Sequence, residues 1–187
     1  MVLASGKGTF GPATPGKLVD AFRVEQLDPL LCTSYCNVVV LCGINSIRND
    51  RVDTRAKIKG VFDLFRSKID QIHMLNRRAK LFVCAVLPTK SATYNRKATH
   101  FNGLLEDMAG NNFNITIVGP SVFESYLDPD TGLLSERFSF RNDQLHLTPY
   151  AASRLATTIK TAIFARKKKR VDGRKFSAAV SSGTDPR

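Results

Sequence analysis

Hydrophobic positions along this chain fall into two kinds of run. In the first kind the apolar residues are continuous and short. Asn37-Val-Val-Val-Leu-Cys42 ends at Gly43, Lys80-Leu-Phe-Val-Cys-Ala-Val-Leu87 ends at Pro88, and Phe113-Asn-Ile-Thr-Ile-Val118 ends at Gly119-Pro120. Short apolar runs closed by turn residues predict strands buried on both faces, as in parallel sheets. In the second kind, apolar residues recur every three or four positions, the signature of a helix with one buried face. Ile58, Val61, Phe62, Phe65, Ile69 and Ile72 predict a helix from Val52 to Asn76, with Lys, Arg and Asp on its other side. Phe101, Leu104, Leu105 and Met108 predict one from Ala92 to Met108. A last helix from Pro149 to Lys169 would bury Ala152, Leu155, Ala156, Ile159 and Ile163, with Thr148 as N-cap and Pro149 at the first position. A shorter helix opens at Pro15-Gly16 and reaches Leu27 before Asp28-Pro29 interrupts it.

The order of the long elements is strand, helix, strand, helix, strand, helix. That alternation predicts an α/β fold, a parallel sheet covered by helices on both faces in a three-layer α/β/α sandwich. Right-handed crossovers leave few other topologies. Residues 1–15 are rich in Gly, Thr and Pro and read as an extended loop after at most a short strand, Val2 to Ala4. Gly6-Lys-Gly-Thr9 lacks the leading Gly and four-residue spacer of a phosphate loop. Residues 121–142 form a long polar connection, expected to be functional or mobile. Ser46 to Asp50 reads as a loop with helix-start chemistry, leaving Asn45 in a turn.

Composition narrows the class. The 187 residues suit one domain and a tail, and 43% apolar content supplies a real core. No run reaches the roughly 18 apolar residues of a membrane span, and the first residues lack the pattern of a secretory signal. Of the four cysteines, Cys42 and Cys84 lie in apolar runs and read as buried thiols. Cys32 and Cys36 have no second ligand pair nearby, so no metal is expected. Cysteines without framework spacing point to a reducing, intracellular compartment, cytoplasm or nucleus. The net charge is +12, and much of the excess lies in Arg166, Lys167, Lys168, Lys169, Arg170, Arg174 and Lys175. Such clusters usually form disordered tails. This one is expected to solubilise the chain, to direct import, or to contact RNA or DNA phosphates. The expected organisation is therefore an N-terminal segment over 1–15, an α/β domain over 16–165 and a basic tail over 166–187.

Candidate chemistry lies where open α/β sheets collect it, beyond the carboxyl ends of the strands. Asn45 follows the first buried run, where its side-chain amide can donate to a developing oxyanion, and Gly16 can add a backbone N–H. Asp143 and His146 stand three residues apart just before the last helix. In such a pair the carboxylate fixes the imidazole tautomer while the imidazole takes a proton from a nucleophile. Each feature alone has a plainer use, the pair as helix capping and solvated surface, the Asn as a turn cap. Their combination is what suggests a hydrolytic site.

Gly43-Ile-Asn45-Ser46 resembles the third conserved block of the SGNH (GDSL-type) hydrolases, usually Gly-x-Asn-Asp, and Asp143-Gln-Leu-His146-Leu resembles their fifth, Asp-x-x-His. Pro15-Gly16-Lys-Leu-Val-Asp-Ala-Phe is similar to the second block, and Asn95 to Leu105 to the run before the fourth strand. The resemblance covers roughly residues 12 to 165. It implies a flavodoxin-like sheet and ester cleavage through an acyl-enzyme with no cofactor. Gly16 and Asn45 would be oxyanion donors, and Asp143 and His146 triad members. Two departures stand out. Ser46 replaces the usual Asp, and the first block, a strand followed by Gly-Asp-Ser, is absent. Ser5 is the sole early serine, and eleven residues to Gly16 leave no room for the usual helix and strand.

Three readings follow. The chain is an SGNH-type esterase domain with Ser5 or another Ser as nucleophile. Alternatively it is a non-catalytic SGNH-fold protein serving as a structural or nucleic-acid-binding component of a ribonucleoprotein or virus shell. Domains resembling it occur beside nucleic-acid-binding segments in LINE-type retroelement proteins, an analogy only. A flavodoxin-type small-molecule-binding domain is the third. Without a complete first strand the sheet would have a gap, to be filled by an upstream segment or a second copy.

Overall fold

The structure, a computed structural model, describes the backbone of residues 2–6, 9–10, 37–41, 44–112, 114–119, 123–139 and 147–180; side chains are described over 37–41, 46–112, 114–119, 123–139 and 147–165. Five strands are described: β1 Val2–Gly6, β2 Thr9–Phe10, β3 Asn37–Val40, β4 Lys80–Cys84 and β5 Ile115–Val118. The helices given bounds are α1 Ile44–Arg48, α2 Arg55–Leu75, α3 Ala92–Gly110 and α4 Pro149–Val180. The strands form one sheet in the order β2-β1-β3-β4-β5.

β3, β4 and β5 are parallel, with Val38, Leu81 and Ile115 in one rank and Val40 and Val83 paired farther along. Alternate residues face opposite sides of a strand, and here both sides are covered. Val38, Val40, Leu81, Val83 and Ile115 join Ile58, Phe62, Phe65, Ile69 and Ile72 of α2 and Tyr94, Ala98, Phe101 and Leu105 of α3. Val39, Phe82, Cys84 and Val118 turn the other way and meet Ile159, Ala162 and Ile163 of α4. Helix, sheet and helix thus make three layers, as the apolar strands predict. The crossovers α2 and α3 share one face because the strand order advances steadily and each crossover has the same hand.

The helices start where side chains can cap them. Thr54 accepts from Lys57 N at 3.3 Å and Ser91 accepts from Tyr94 N at 3.3 Å. The buried residues of α2 repeat at intervals of four and three. Against them Phe101 takes both Phe62 and Phe65 edge-on, with centroids 5.9 and 6.0 Å away. Such edge contacts add about 0.5–1.5 kcal/mol each beyond area burial.

Four expectations need correcting. The sheet is mixed, because β1 runs antiparallel to both β2 and β3. Gly6 pairs with Thr9, and a two-residue connection can join only antiparallel strands. The place beside β3 is therefore held by β1 of the same chain. Asn45 lies on α1 rather than in a turn, because fully buried Ile47 anchors that short helix in the core. The buried stripe of α4 is Ala151, Leu155, Ile159, Ala162 and Ile163, while Ala152 and Ala156 face outward. Finally, α4 continues to Val180, so the basic residues 166–175 lie on helical backbone rather than in a disordered tail. Lys, Arg and Ala are good helix formers, and Gly173 alone is a modest cost in so long a helix. The expected helix from Gly16 to Leu27, with Cys32, Cys36 and Cys42, lies outside the described residues. Among the described residues, no helix is long and apolar enough to cross a membrane.

Candidate functional site

β4 does not stop being buried where it stops pairing. Ala85, Val86 and Leu87 continue it into the interior; Ala85 N still donates to Val118 O of β5 at 3.1 Å, but the backbone of Val86 and of Thr89 is met by side chains instead. Two asparagines on α3 supply them. Asn102 Oδ1 accepts from Val86 N at 2.7 Å and its Nδ2 donates to Val86 O at 3.0 Å. Asn95, two turns earlier, does the same for Thr89, accepting from its N at 2.8 Å and donating to its O at 3.0 Å. Each carboxamide reproduces the donor–acceptor pair of a neighbouring strand. Asn95 lies in the run that resembles the SGNH family. Asn102 lies in the same run, but its clamp on Val86 is not legible in sequence, because an Asn inside a helix usually faces water.

The connection over 121–142, read as polar and as functional or mobile, is packed where it is described. Phe123, Tyr126, Leu134 and Phe138 are buried with Ala85 and Leu87 from the end of β4 and Ala151 and Leu155 from α4. Tyr126 and Phe138 stack at 4.5 Å with an interplanar angle of 3°, and Phe123 meets Tyr126 at 5.7 Å. The Arg154 guanidinium lies 5.8 Å from both the Tyr126 and Phe138 rings. Leu134 N donates to Thr89 O at 3.1 Å, which ties this loop to the Asn95 clamp. The aromatic spacing here follows neither helix nor strand period, so sequence periodicity misses it.

Two residues that flank the candidate catalytic blocks also pack on this cluster. Leu41, directly after β3, and Leu147, directly after His146, pack against it from two directions. Ser139 and Leu147 pair as an antiparallel bridge, and Thr148 N donates to Phe138 O at 3.0 Å. Thr148 Oγ1 donates to Arg137 O at 3.1 Å and accepts from Ala151 N at 3.3 Å, which makes it the N-cap of α4 as predicted. The two ends of the segment holding Asp143 and His146 are thereby tied together beside the end of β4. Asp143, His146 and Gly16 themselves lie outside the described residues. Asn45 is described in backbone only, as the second residue of α1, with Ser46 buried beside it.

Ser5 is elsewhere. Its register partner is Asn37, at the amino end of β3, while Val2 stands opposite Val40 at the carboxyl end. Three residues of strand, roughly 10 Å, separate Ser5 from that end. The antiparallel direction of β1 thus places the Ser5 backbone at the amino end of β3, opposite the end from which the chain enters α1. Arg166, Lys167, Lys168, Lys169, Arg170, Arg174 and Lys175 fall in the later half of α4.

Titration near the cluster is governed by burial. Burial pushes the Tyr126 hydroxyl up from its ordinary value of 10.0, against the lowering influence of Arg154. Asp128, in the exposed turn leading to Gly132, is held below the usual carboxylate range by hydrogen bonds from Thr131 N and Oγ1 and Asp130 N. Cys84 is buried, as expected. Among the described residues no three His, Cys, Asp or Glu side chains gather where a metal could sit.

Comparison with known proteins agrees on the architecture. No family model matches this chain, and no curated protein does. A solved structure from Streptococcus pneumonia, provisionally named a platelet activating factor, is similar with a TM-score of 0.57. It shares 18% identity and covers 74% of this chain and 67% of its own. At that identity the likeness shows the fold, an α/β sandwich.

Proposed function

We propose that this chain is an SGNH-type serine carboxylester hydrolase domain. Its acid–base pair is Asp143 and His146, and its oxyanion donors are Asn45 and Gly16. One observation carries the reading. Leu41, four residues before Asn45, and Leu147, next to His146, pack on the same buried cluster at the carboxyl end of β4. Residues flanking two blocks distant in sequence thus share one end of the sheet, which supports the reading because α/β folds assemble sites there.

In this reading a seryl hydroxyl attacks the ester carbonyl and His146 takes its proton. Asp143 stabilises the imidazolium, and N–H donors hold the oxyanion. The imidazolium returns the proton to the departing alcohol, and water then cleaves the acyl-enzyme by the same path. Because β1 pairs Ser5 with Asn37 at the amino end of β3, this reading takes its nucleophile from another serine.

The test is intact mass after a fluorophosphonate probe, followed by peptide mapping. A single adduct on a serine other than Ser5, lost in His146→Ala, is the expected result. No adduct on the folded protein overturns the reading and leaves a non-catalytic protein of this fold. An adduct that survives His146→Ala overturns it equally.

A further inference from the structure

We propose that Arg137 and Arg154, with the hydroxyls of Tyr126 and Tyr150, form a binding site for an oxyanion, the carboxylate or phosphate group of a small acidic ester. The site is built on aromatic rings that fix the two cations. Phe138 stacks on Tyr126 at 4.5 Å and on Tyr150 at 5.8 Å. The Arg154 guanidinium lies 5.8 Å from the Tyr126 and Phe138 rings. That of Arg137 lies 4.6 Å over the Tyr150 ring and donates to Tyr150 Oη at 3.0 Å. Tyr150 and Arg154 are four residues apart on α4, so they are neighbours on its surface. Both arginines and Tyr150 are exposed.

Two independent observations point to an anion. Among the described residues neither guanidinium pairs with a carboxylate, and the acid next to Arg137, Glu136, approaches Lys90 instead at 3.8 Å. Guanidinium groups held in place without an acid suit a carboxylate or phosphate, which Arg binds through paired N–H donors. The second observation is Tyr126. It is wholly buried and its Oη has no hydrogen-bond partner, although buried hydroxyls nearly always have one. Burial dominates its titration, and after burial the Arg154 charge and the Tyr150 hydroxyl act on it, so that Oη stands close to both. An anion oxygen held by Arg154 supplies the acceptor this hydroxyl lacks. Tyr150 Oη, which accepts from Arg137, keeps its own proton to donate. The position suits a substrate group. Thr148 N donates to Phe138 O, Thr148 Oγ1 donates to Arg137 O, and Leu147 bridges Ser139, so the loop bearing Arg137 is fastened to the residues that follow His146. The ester as ligand rests on the ester-hydrolase reading; the anion site stands on the cluster alone.

The test uses the full chain and two readouts. The first is the melting temperature in inorganic phosphate or succinate, against sodium chloride at matched ionic strength. Either anion is expected to raise it in the wild type and in Lys59→Gln, a charge control on the far helix layer. The rise should vanish in an Arg137→Gln, Arg154→Gln double variant and shrink in Arg154→Gln, which leaves Arg137 on Tyr150. The second readout compares hydrolysis of mono-p-nitrophenyl succinate with that of p-nitrophenyl acetate. The wild type should prefer the acidic ester, and the double variant should lose about 10- to 100-fold of that kcat/KM ratio, through KM rather than kcat. No rise with either anion in the wild type overturns the proposal, and so does an equal rise in the wild type and the arginine variants. A ratio unchanged in the double variant of an active chain overturns the assignment to substrate. Anion binding lost with the arginines in a chain that hydrolyses neither ester upholds the site and counts against the ester-hydrolase reading instead.

Discussion

Asn102 pairs both halves of its carboxamide with the backbone of Val86, accepting at 2.7 Å and donating at 3.0 Å. It stands in for a strand that β4 lacks beyond Ala85, whose N–H is the last to donate to β5. Val86 is buried, so its N–H and C=O have no ready access to water. Asn102→Ala should therefore cost about 1–3 kcal/mol for the orphaned backbone groups, measured as the shift in a urea melt. A variant as stable as wild type would show that water replaces the amide without penalty.

Two glycines should respond in opposite directions to alanine. Gly60 lies exposed inside α2 with nothing within 4 Å of a built Cβ, and there alanine lowers the entropy of the unfolded chain. Gly60→Ala is expected to stabilise by about 0.5–1 kcal/mol. Gly132 has the same open space but a φ of +65°, in the left-handed region that penalises a Cβ. Gly132→Ala should destabilise by about 1 kcal/mol. Thermal melts of the two single variants check the sign, and equal shifts would refute the backbone assignment at Gly132.

Two buried tyrosines set the alkaline limit. Burial raises the Tyr94 and Tyr126 hydroxyls above their ordinary value of 10.0, and neither Oη has a partner among the described residues. The folded state holds their protons longer than the unfolded chain does. Their contribution is intact below pH 10 and falls as pH rises above it, by up to about 1.4 kcal/mol per pH unit for each. Urea melts between pH 9 and 11.5 should show that decline, flattened in a Tyr94→Phe, Tyr126→Phe double variant. An unchanged slope in the double variant would mean that other groups govern the alkaline transition.

Ser5→Ala is expected to leave fluorophosphonate labelling and p-nitrophenyl acetate turnover unaltered, because Ser5 pairs with Asn37 at the amino end of β3. Asn45→Ala should lower kcat by about 100- to 1000-fold, the loss of one oxyanion donor. Turnover lost in Ser5→Ala would require β1 to run the other way beside β3.

The core of α2 shows how much was legible in the chain. Ile58, Phe62, Phe65, Ile69 and Ile72 are buried as their spacing predicts, because a helix repeats every 3.6 residues whatever it packs against. The three parallel strands were equally plain, since burial on both faces demands unbroken apolar runs. Thr148 was readable as a cap from its place before Pro149. Local geometry imposes all of these, and sequence order preserves local geometry. The direction of β1, the clamps of Asn95 and Asn102, and the Phe123–Tyr126–Phe138 cluster belong to the other class. Each joins residues far apart in the chain through distances that no period encodes. An amide reads as surface until a buried strand end needs its hydrogen bonds, and a loop reads as polar until its few aromatics find a common cavity. Tertiary packing decided that Leu41 and Leu147 meet on one buried cluster beyond the carboxyl end of β4, while Ser5 pairs with Asn37 at the amino end of β3.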